Sequence, residues 1–450
     1  MRRFMSVLAA LCFIFSSIQM AAAAPQPAAK KPSLAEPAAA RNSSSEEASP
    51  MLRVGLLQGE DAVMISSTES FVLRDASNGQ GIWKSKPGEK LTIRRSGKSF
   101  LLDKKGISAS ELRVLIPNAK QEAALQLAGK SYRGELLLRI EAAGIQVINK
   151  LPLDAYLYGV VGGEMSEAWP AEALKAQAVA ARTFALYSRD KHKGAGFDVC
   201  ATTHCQVYGG IAAEGSSVRA AVDATRGEVL CYQGKPIYAA FHTSSGGMTE
   251  NSEDVWGSYL PYLRAVPDED SASPSHHWQV KLTTQLFQNK LAAAGYKLGS
   301  LQRISLTPLK PGGGKTEDRT ASGRVSLVTF TGSAGSASLT GNDMRRVFGL
   351  KSTLFDLTLE SPENRKVIGA MGSAKKDVAA NLPDVKEKHY LAKKVHILTN
   401  QPGENILIDG YGWGHGLGLA QWGARAMAAK ADYKTILSHY YTKAELKKFY

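Results

Sequence analysis

The sequence predicts an α+β fold. Short alternating runs of apolar and polar residues between positions 51 and 150, separated by Gly, Asn, Ser and Pro, are typical of strands. A long helical repeat follows near position 170, and the remaining segments mix strands and helices without a regular βαβ alternation. With 450 residues, 44% of them apolar, the chain is long enough to bury a sizeable core.

The N-terminus resembles a secretory signal peptide, residues 1–24. Arg2 and Arg3 precede an apolar run over residues 4–18 and an alanine-rich cleavage site. This run is shorter than the roughly 20 residues that a membrane-spanning helix needs. We therefore expect an exported protein, in the periplasm or at the extracellular face of the cell wall, with no integral membrane segment after cleavage. Residues 25–50, rich in Ala, Pro and Ser, predict a disordered tether.

Residues 51–450 predict one domain made of several parts. A β-rich part covers 51–150, and strand character continues to about residue 157. In the part over residues 151–270, a helix begins at Pro170, because its apolar residues recur at spacings of three and four: Leu174, Ala178, Ala181 and Ala185.

The remaining parts are assigned from the same patterns. An α+β subdomain covers 271–360, a charged insertion 361–395, and a glycine-rich segment with a C-terminal helix 396–450. A second helix is expected at residues 215–225, within the part over residues 151–270. In the later parts, the expected helices are residues 284–294, 340–348 and 419–430, and the expected strands are 301–306, 324–331 and 354–359.

The basic charge indicates an anionic partner. The formal net charge is +14, and such a chain attracts nucleic acid, anionic lipids or a carboxylate-bearing cell wall. Export and the absence of any nucleic-acid-binding motif exclude nucleic acid as the expected partner and favour the wall. A basic, solubilising surface is the alternative interpretation.

Glu164 is the candidate catalytic residue. It lies just ahead of the long helix, among aromatic residues, and a partly desolvated carboxyl group can act as a general acid near neutral pH. The alternative is a solvated loop carboxylate. Glu167, three residues further on, is expected to be a solvated charge at a helix entry.

Polar residues after a predicted strand form a candidate substrate-binding segment. Such small hydroxyl, amide and acidic groups can bind a glycan, or they can cap the next turn. The candidate residues are His242, Thr243, Ser244, Ser245, Glu250 and Asn251.

The glycine-rich segment between Gly410 and Gly418 is a second binding candidate. Alternate glycines allow close backbone approach and positive φ angles. Trp413 and Trp422 offer aromatic faces to a sugar and His415 a hydrogen bond, and Gln421 lies in the continuation of this segment to Ala428. The alternative is a tight packing turn.

Cys200, His204 and Cys205 form a candidate metal site. Their types and spacing suit a structural zinc ion, with His192 or His242 as a fourth ligand. The alternatives are a disulfide between Cys200 and Cys205 or between one of them and Cys231, free thiols, or a Cys–His hydrolase that uses Cys205.

Five segments, in this order, resemble the stage II sporulation protein D / LytB family, whose LytB members are also called amidase enhancers. They are LPLDAYLYGVVGGEM, WPAEALKAQAVAARTFAL, DVCATTHCQVYGG, HTSSGGMTENSEDVWG and GYGWGHGLGLAQWGARAMA. Together with two shorter pieces, the resemblance covers roughly residues 51–450.

The resemblance implies a bacterial envelope protein that acts on peptidoglycan glycan strands. It implies a lytic transglycosylase that cleaves between N-acetylmuramic acid and N-acetylglucosamine on strands stripped of stem peptides, with Glu164 as the single general acid and base. A zinc ion near the cysteine motif is implied for some members, and the chemistry itself requires no cofactor. The alternative is a non-enzymatic protein that binds peptidoglycan and stimulates a cell-wall amidase.

Overall fold

The computed structural model describes residues 48–120, 122–310, 314–360 and 394–450. The expected signal peptide, the tether up to residue 47 and the insertion up to residue 393 lie outside these residues. Within the ranges described, no helix has the length and apolar character needed to cross a membrane.

Helices and strands both contribute many elements, which confirms the α+β class. The helices are α1 (Leu153–Glu164), α2 (Ala171–Tyr187), α3 (Ser216–Ala224), α4 (Ser252–Trp256), α5 (Thr284–Ala293), α6 (Gly341–Phe348), α7 (Gln421–Met427) and α8 (Tyr433–Tyr440), with 3-10 turns at Lys193–Ala195 and Gly210–Ala213. The strands are β1 (Met51–Glu60), β2 (Ala62–Ser66), β3 (Val72–Asp75), β4 (Gly81–Lys84), β5 (Lys90–Ser96), β6 (Ser99–Leu102), β7 (Lys105–Ile107), β8 (Glu111–Leu115), β9 (Leu125–Leu127), β10 (Lys130–Tyr132), β11 (Glu135–Glu141), β12 (Gly144–Pro152), β13 (Val199–Cys200), β14 (Glu228–Tyr232), β15 (Lys235–Pro236), β16 (Phe241–His242), β17 (His277–Thr283), β18 (Leu301–Leu306), β19 (Leu327–Gly332), β20 (Gly335–Thr340), β21 (Leu354–Glu360), β22 (Lys394–Ile397), β23 (Asn405–Tyr411), β24 (Leu419–Ala420) and β25 (Glu445–Lys448).

The first hydrophobic core lies between the N-terminal sheets and five helices. A seven-stranded sheet has the order β13-β1-β12-β11-β8-β3-β4, and a six-stranded sheet has the order β10-β9-β2-β5-β6-β7. Their buried residues join one continuous cluster with residues of α1, α2, α3, α7 and α8. The alternating pattern of residues 51–150 therefore corresponds to strands that bury one face.

The second core belongs to the later α+β part. Its sheets have the orders β17-β23-β21 and β20-β19-β18-β22, and Phe287, Phe330 and Phe355 are fully buried between these sheets and their helices. Residues 394–411 contribute β22 and β23 to these sheets, although the sequence placed 394–395 in the charged insertion and 396–411 in the C-terminal segment. Burial of Ile406 and Ile408 in this core explains the difference.

Helix α1 differs from the prediction of strand up to about residue 157. Strand β12 ends at Pro152, and the chain turns directly into α1 at Leu153. The buried residues Leu153, Leu157 and Val160 recur at spacings of four and three, which is a helical period. Short apolar runs next to strands are ambiguous in sequence, and here packing against α2 and α3 selects the helix.

The C-terminal region is also more divided than predicted. The single helix expected over residues 419–430 is the shorter α7, and a second helix, α8, follows it. Asp432 caps α8 by accepting a hydrogen bond from the Thr435 amide at 2.8 Å. The chain then ends in β25, which pairs with β14.

Arg182 of α2 joins these helices through a fully buried guanidinium group. It donates to the Asp154 carboxylate in the first turn of α1, at 3.1 Å, and to the Val222 carbonyl in α3, also at 3.1 Å. Its remaining donors reach the Glu228 carbonyl at 3.3 Å and the Tyr450 hydroxyl at 3.1 Å. One side chain thus fixes the positions of α1, α3, β14 and the C-terminal residue.

We expect Arg182→Met to destabilise the fold by about 3–5 kcal/mol, because it leaves the Asp154 carboxylate buried without its partner. Chemical denaturation measures the free energy of unfolding. Arg226→Met is the matched control, since Arg226 is 3.8 Å from the same carboxylate but 56% exposed, and exposed pairs contribute only about 0–1 kcal/mol. Equal losses for the two variants would contradict the assignment.

Candidate active site

Glu164 is the last residue of α1, at a point where backbones approach closely. A Cβ atom at Gly162 would lie 1.7 Å from the Ala213 carbonyl oxygen. Only glycine therefore allows the end of α1 to pack against the Gly210–Ala213 turn. This contact places the Glu164 side chain beside the segment that contains Val207.

The Glu164 carboxylate is half-buried and accepts hydrogen bonds from two uncharged donors. The Val207 amide donates to Oε1 at 3.3 Å, and Gln421 Nε2 donates to Oε2 at 3.1 Å. Burial raises the pKa of Glu164 above its ordinary value, although both hydrogen bonds act in the opposite direction. The carboxyl group is therefore shifted toward the protonated form that a general acid needs.

Two tryptophans and an arginine form a cluster from the segments that flank this contact: Trp169 follows Glu164, and Trp422 and Arg425 follow Gln421 in α7. Trp169 follows Glu164 by five residues and contacts Trp422 edge to face, with 5.0 Å between ring centres. The Arg425 guanidinium lies 4.7 Å from the Trp422 ring and 5.4 Å from the Trp169 ring. Thr243 joins the same region, because its carbonyl accepts from the Trp422 amide at 3.1 Å.

The second carboxylate, Glu167, is exposed and its side chain lies against Gly215, the residue before α3. This matches the helix-entry position expected from sequence. The tyrosines before Glu164 have other partners: the Tyr156 hydroxyl donates to Gln206 at 3.2 Å, and the Tyr158 hydroxyl donates to Asp223 at 2.6 Å.

Ser244 and Ser245 are buried, and their hydroxyl groups have protein partners. Ser244 donates to the Asp270 carboxylate, and Ser245 donates to Asp268 at 2.6 Å. Asp270 also bonds His276 Nδ1 at 2.7 Å. The two serines therefore support the loop from inside, where the sequence had suggested that they face a glycan.

Glu250 and Asn251 likewise have structural partners. The fully buried Glu250 carboxylate accepts from the hydroxyl groups of Thr320 and Ser322 and from the Asn251 amide. The Asn251 side chain accepts from the Ala265 amide at 3.0 Å, and the residue precedes α4. Neither side chain caps the next turn: Glu250 bonds a distant loop, and Asn251 makes no side-chain cap bond to α4.

His242 and His415 lie side by side, with 5.4 Å between ring centres. His242 is buried, and its Nδ1 bonds the Leu417 carbonyl oxygen at 3.1 Å. His415 Nδ1 accepts from the Leu417 amide at 2.9 Å. Burial, together with the nearby Arg324 charge, lowers the pKa of His415 to about 4, so this imidazole is neutral at physiological pH.

The glycine-rich segment combines an exposed ring with a tightly packed backbone. Trp413 is 50% exposed, and Lys351 Nζ lies 5.4 Å from its ring centre. At Gly416, φ is +84°, and a Cβ atom would lie 2.5 Å from the Arg324 guanidinium carbon. His415 and Arg324 also line a cavity of about 220 Å³ together with Glu250.

The candidate metal ligands converge, and His192 joins them as the fourth. The ligand atoms of His192, Cys200, His204 and Cys205 all lie within 4.8 Å of one another. Nε2 of His192 is 3.3 Å from the Cys205 sulfur, and Nδ1 of His204 is 3.6 Å from the Cys200 sulfur. His242, the other fourth-ligand candidate, points instead to Leu417.

This donor set fits a zinc ion. Two thiolates and two imidazoles are a common structural zinc set, with all four positions filled by protein. Burial lowers the pKa of both His192 and His204, which keeps their nitrogens unprotonated and available to a metal. Cys200, Cys205 and Cys231 are all free thiols in the structure, which contains none of the disulfides considered among them.

Three residues in or near this site were not predicted from the sequence. Val207 acts through its backbone amide, which leaves no side-chain signal. Arg425 is one basic residue in a basic chain, and Arg324 lies in an undistinguished loop. The sequence DRTASGR, residues 318–324, could have indicated the role of Arg324, because it is a dense run of polar residues that the structure buries.

Comparisons with known proteins identify a matching family model and several relatives. A family model described as stage II sporulation protein matches residues 141–232, which contain Glu164 and the four metal-ligand candidates. An uncharacterized protein of Brachyspira hyodysenteriae is 34% identical over 322 residues, covering 71% of this chain and 73% of that protein.

Two relatives from Bacillus subtilis carry descriptive names. The protein named stage II sporulation protein D is 28% identical over 313 residues, covering 66% of this chain and 74% of that protein. The protein named amidase enhancer is 31% identical over 305 residues, covering 63% of this chain but only 39% of that longer protein. The chain belongs to the stage II sporulation protein D / LytB family.

Proposed function

We propose that this protein is a lytic transglycosylase of the bacterial cell wall, which cleaves peptidoglycan between N-acetylmuramic acid and N-acetylglucosamine on strands without stem peptides. Family membership supports a cell-wall role. The observation that carries the enzymatic proposal is the Glu164 carboxyl group, half-buried, raised in pKa and held by two uncharged donors.

One carboxyl group is sufficient for this reaction. Protonated Glu164 donates its proton to the glycosidic oxygen as the bond from muramic C1 breaks, which releases the next sugar with a free hydroxyl. The resulting carboxylate then removes the proton of the C6 hydroxyl, and O6 bonds to C1. The product is a 1,6-anhydro sugar, no water is consumed, and Glu164 is protonated again.

The hydrogen-bond partners of Glu164 suit both steps. Among the described residues, only Val207 and Gln421 bond its carboxylate, and neither carries a charge. Two-carboxylate hydrolysis would instead need a second acidic group at a defined separation. Glu167 does not fit that role, because it is exposed and lies against Gly215.

A second candidate function is the binding and stimulation of a separate cell-wall amidase. The relative named amidase enhancer favours it, as does the net charge of +14, which suits an anionic wall. In this case Glu164 would not be required.

We further propose that His192, Cys200, His204 and Cys205 hold a structural zinc ion. Zinc would supply four bonds that close the loop ahead of Val207, and it would take no part in proton transfer. Gln206 in this loop donates to the Ala181 carbonyl at 3.2 Å. A loop held by zinc and by this bond would also hold the Val207 amide, which donates to Glu164.

For Glu164→Gln, we expect a fall of about 10²–10⁴-fold in the release of 1,6-anhydromuramic products from denuded strands, because the amide cannot exchange the proton. Mass spectrometry of the digest measures these products. Glu167→Gln is the matched control and should stay within about twofold. Absence of anhydro products with the unmodified protein would reject the transglycosylase, and unchanged amidase stimulation by Glu164→Gln would then support the second candidate.

For Gln421→Met, we expect the alkaline fall of kcat/KM to move to higher pH. The Gln421 hydrogen bond stabilises the Glu164 carboxylate and lowers its pKa, so its loss raises that pKa further. Because the first step needs the protonated acid, activity then persists to higher pH. A pH–rate profile measures the midpoint, with the exposed Gln285→Met as the control; an unchanged or lower midpoint would contradict the assignment.

For the metal site, we expect protein purified without chelators to contain about one equivalent of zinc by elemental analysis. Cys200→Ser should lose the metal and lower the melting temperature, whereas Cys231→Ser should retain it, because Cys231 lies in β14 outside the cluster. Less than about a tenth of an equivalent in the unmodified protein would exclude the site.

A further inference from the structure

Arg425 lies one helical turn from the contact between Gln421 and Glu164. Both Gln421 and Arg425 belong to α7, and side chains four residues apart lie on the same face of a helix, with about 5–6 Å between their Cβ atoms. Gln421 uses that face to donate to Glu164 at 3.1 Å. The Arg425 side chain therefore lies on the same face of α7 as the residue that contacts Glu164.

The Arg425 guanidinium is held in place by the two tryptophans. It lies 4.7 Å from the Trp422 ring and 5.4 Å from the Trp169 ring, and these rings contact each other at 5.0 Å. Contacts of a cation with two aromatic rings restrict a long side chain that would otherwise move freely in solvent. We define Trp169, Trp422 and Arg425 as the aromatic–arginine cluster.

Arg425 has no acidic partner within the part of the chain that the structure describes. Several half-buried or buried arginines elsewhere form ion pairs: Arg133 bonds Glu214, Arg264 bonds Glu253, and Arg319 bonds Asp356. Arg425 forms no ion pair and no side-chain hydrogen bond with the described residues. Its guanidinium donors are therefore available to a ligand.

We propose that the aromatic–arginine cluster is a subsite for a sugar that carries a free carboxylate, and that it recognises the lactyl group of N-acetylmuramic acid. An indole face suits a sugar ring, and a guanidinium group suits a carboxylate through paired hydrogen bonds. The inference rests on the proposed function for the identity of the sugar.

This subsite gives a physical basis for preferring denuded strands. In peptidoglycan with stem peptides, the lactyl carboxyl group is part of an amide bond and carries no charge. Once an amidase has removed the peptide, the same group is an anion that can bond Arg425. The subsite therefore distinguishes two states of one substrate by charge, one helical turn from the residue that contacts Glu164.

The test measures binding to intact strands in a Glu164→Gln background, so that turnover does not interfere. Calorimetry compares denuded glycan strands with the same strands whose lactyl carboxylates have been converted to methylamides. We expect the denuded strands to bind about tenfold more tightly, and Arg425→Met to remove this difference by weakening their binding about tenfold.

Controls separate recognition from a general loss of charge or fold. Lys430→Met removes one exposed positive charge just beyond α7 and should keep the tenfold preference, and Arg425→Lys should keep part of it. The proposed subsite is contradicted if Arg425→Met still binds denuded strands more tightly than methylamidated strands. It is also contradicted if the Glu164→Gln protein shows no such difference. Discrimination together with no anhydro product from the unmodified protein would reject the transglycosylase and retain the subsite.

Discussion

The buried Arg182 guanidinium is the interaction on which the arrangement of this site depends. Its bonds to Asp154 and Val222, together with those to β14 and the C-terminus, fix α1, α2 and α3 relative to one another. A buried arginine is unfavourable unless its donors are satisfied, so the surrounding elements must keep their positions to satisfy them. Because α1 ends at Glu164, the position of the proposed catalytic carboxyl group follows from this network.

Close backbone packing completes that placement. Gly162 allows α1 to approach the turn that ends at Ala213, and Gly416 allows the glycine-rich segment to lie on the buried Arg324 side chain. The glycines proposed from sequence to approach a ligand instead approach other parts of the protein. Ser244, Ser245 and Glu250 act in the same way, since their polar atoms bond neighbouring segments.

The proposed active site therefore consists of few residues, which closely packed segments hold in position. Glu164 and Gln421 are 257 residues apart in the chain, yet their side chains share a hydrogen bond. Among the described residues the carboxyl group accepts hydrogen bonds only from neutral donors, and burial dominates its pKa. Arg425, which has no acidic partner among the described residues, lies one helical turn from Gln421 and contacts two aromatic rings, so its positive charge is available at the proposed subsite.

The sequence by itself determined the α+β class and the long helix after Pro170, and it supplied Glu164 as the candidate acid and Cys200, His204 and Cys205 as candidate metal ligands, because periodicity and residue chemistry are local properties. Helix α1 was not predicted, since a short apolar run reads equally well as a strand. Only the tertiary structure decided which polar residues are buried as supports, that His192 joins the cysteines, and that Gln421 contacts Glu164. These are contacts between distant segments, and their geometry depends on packing that no local pattern encodes.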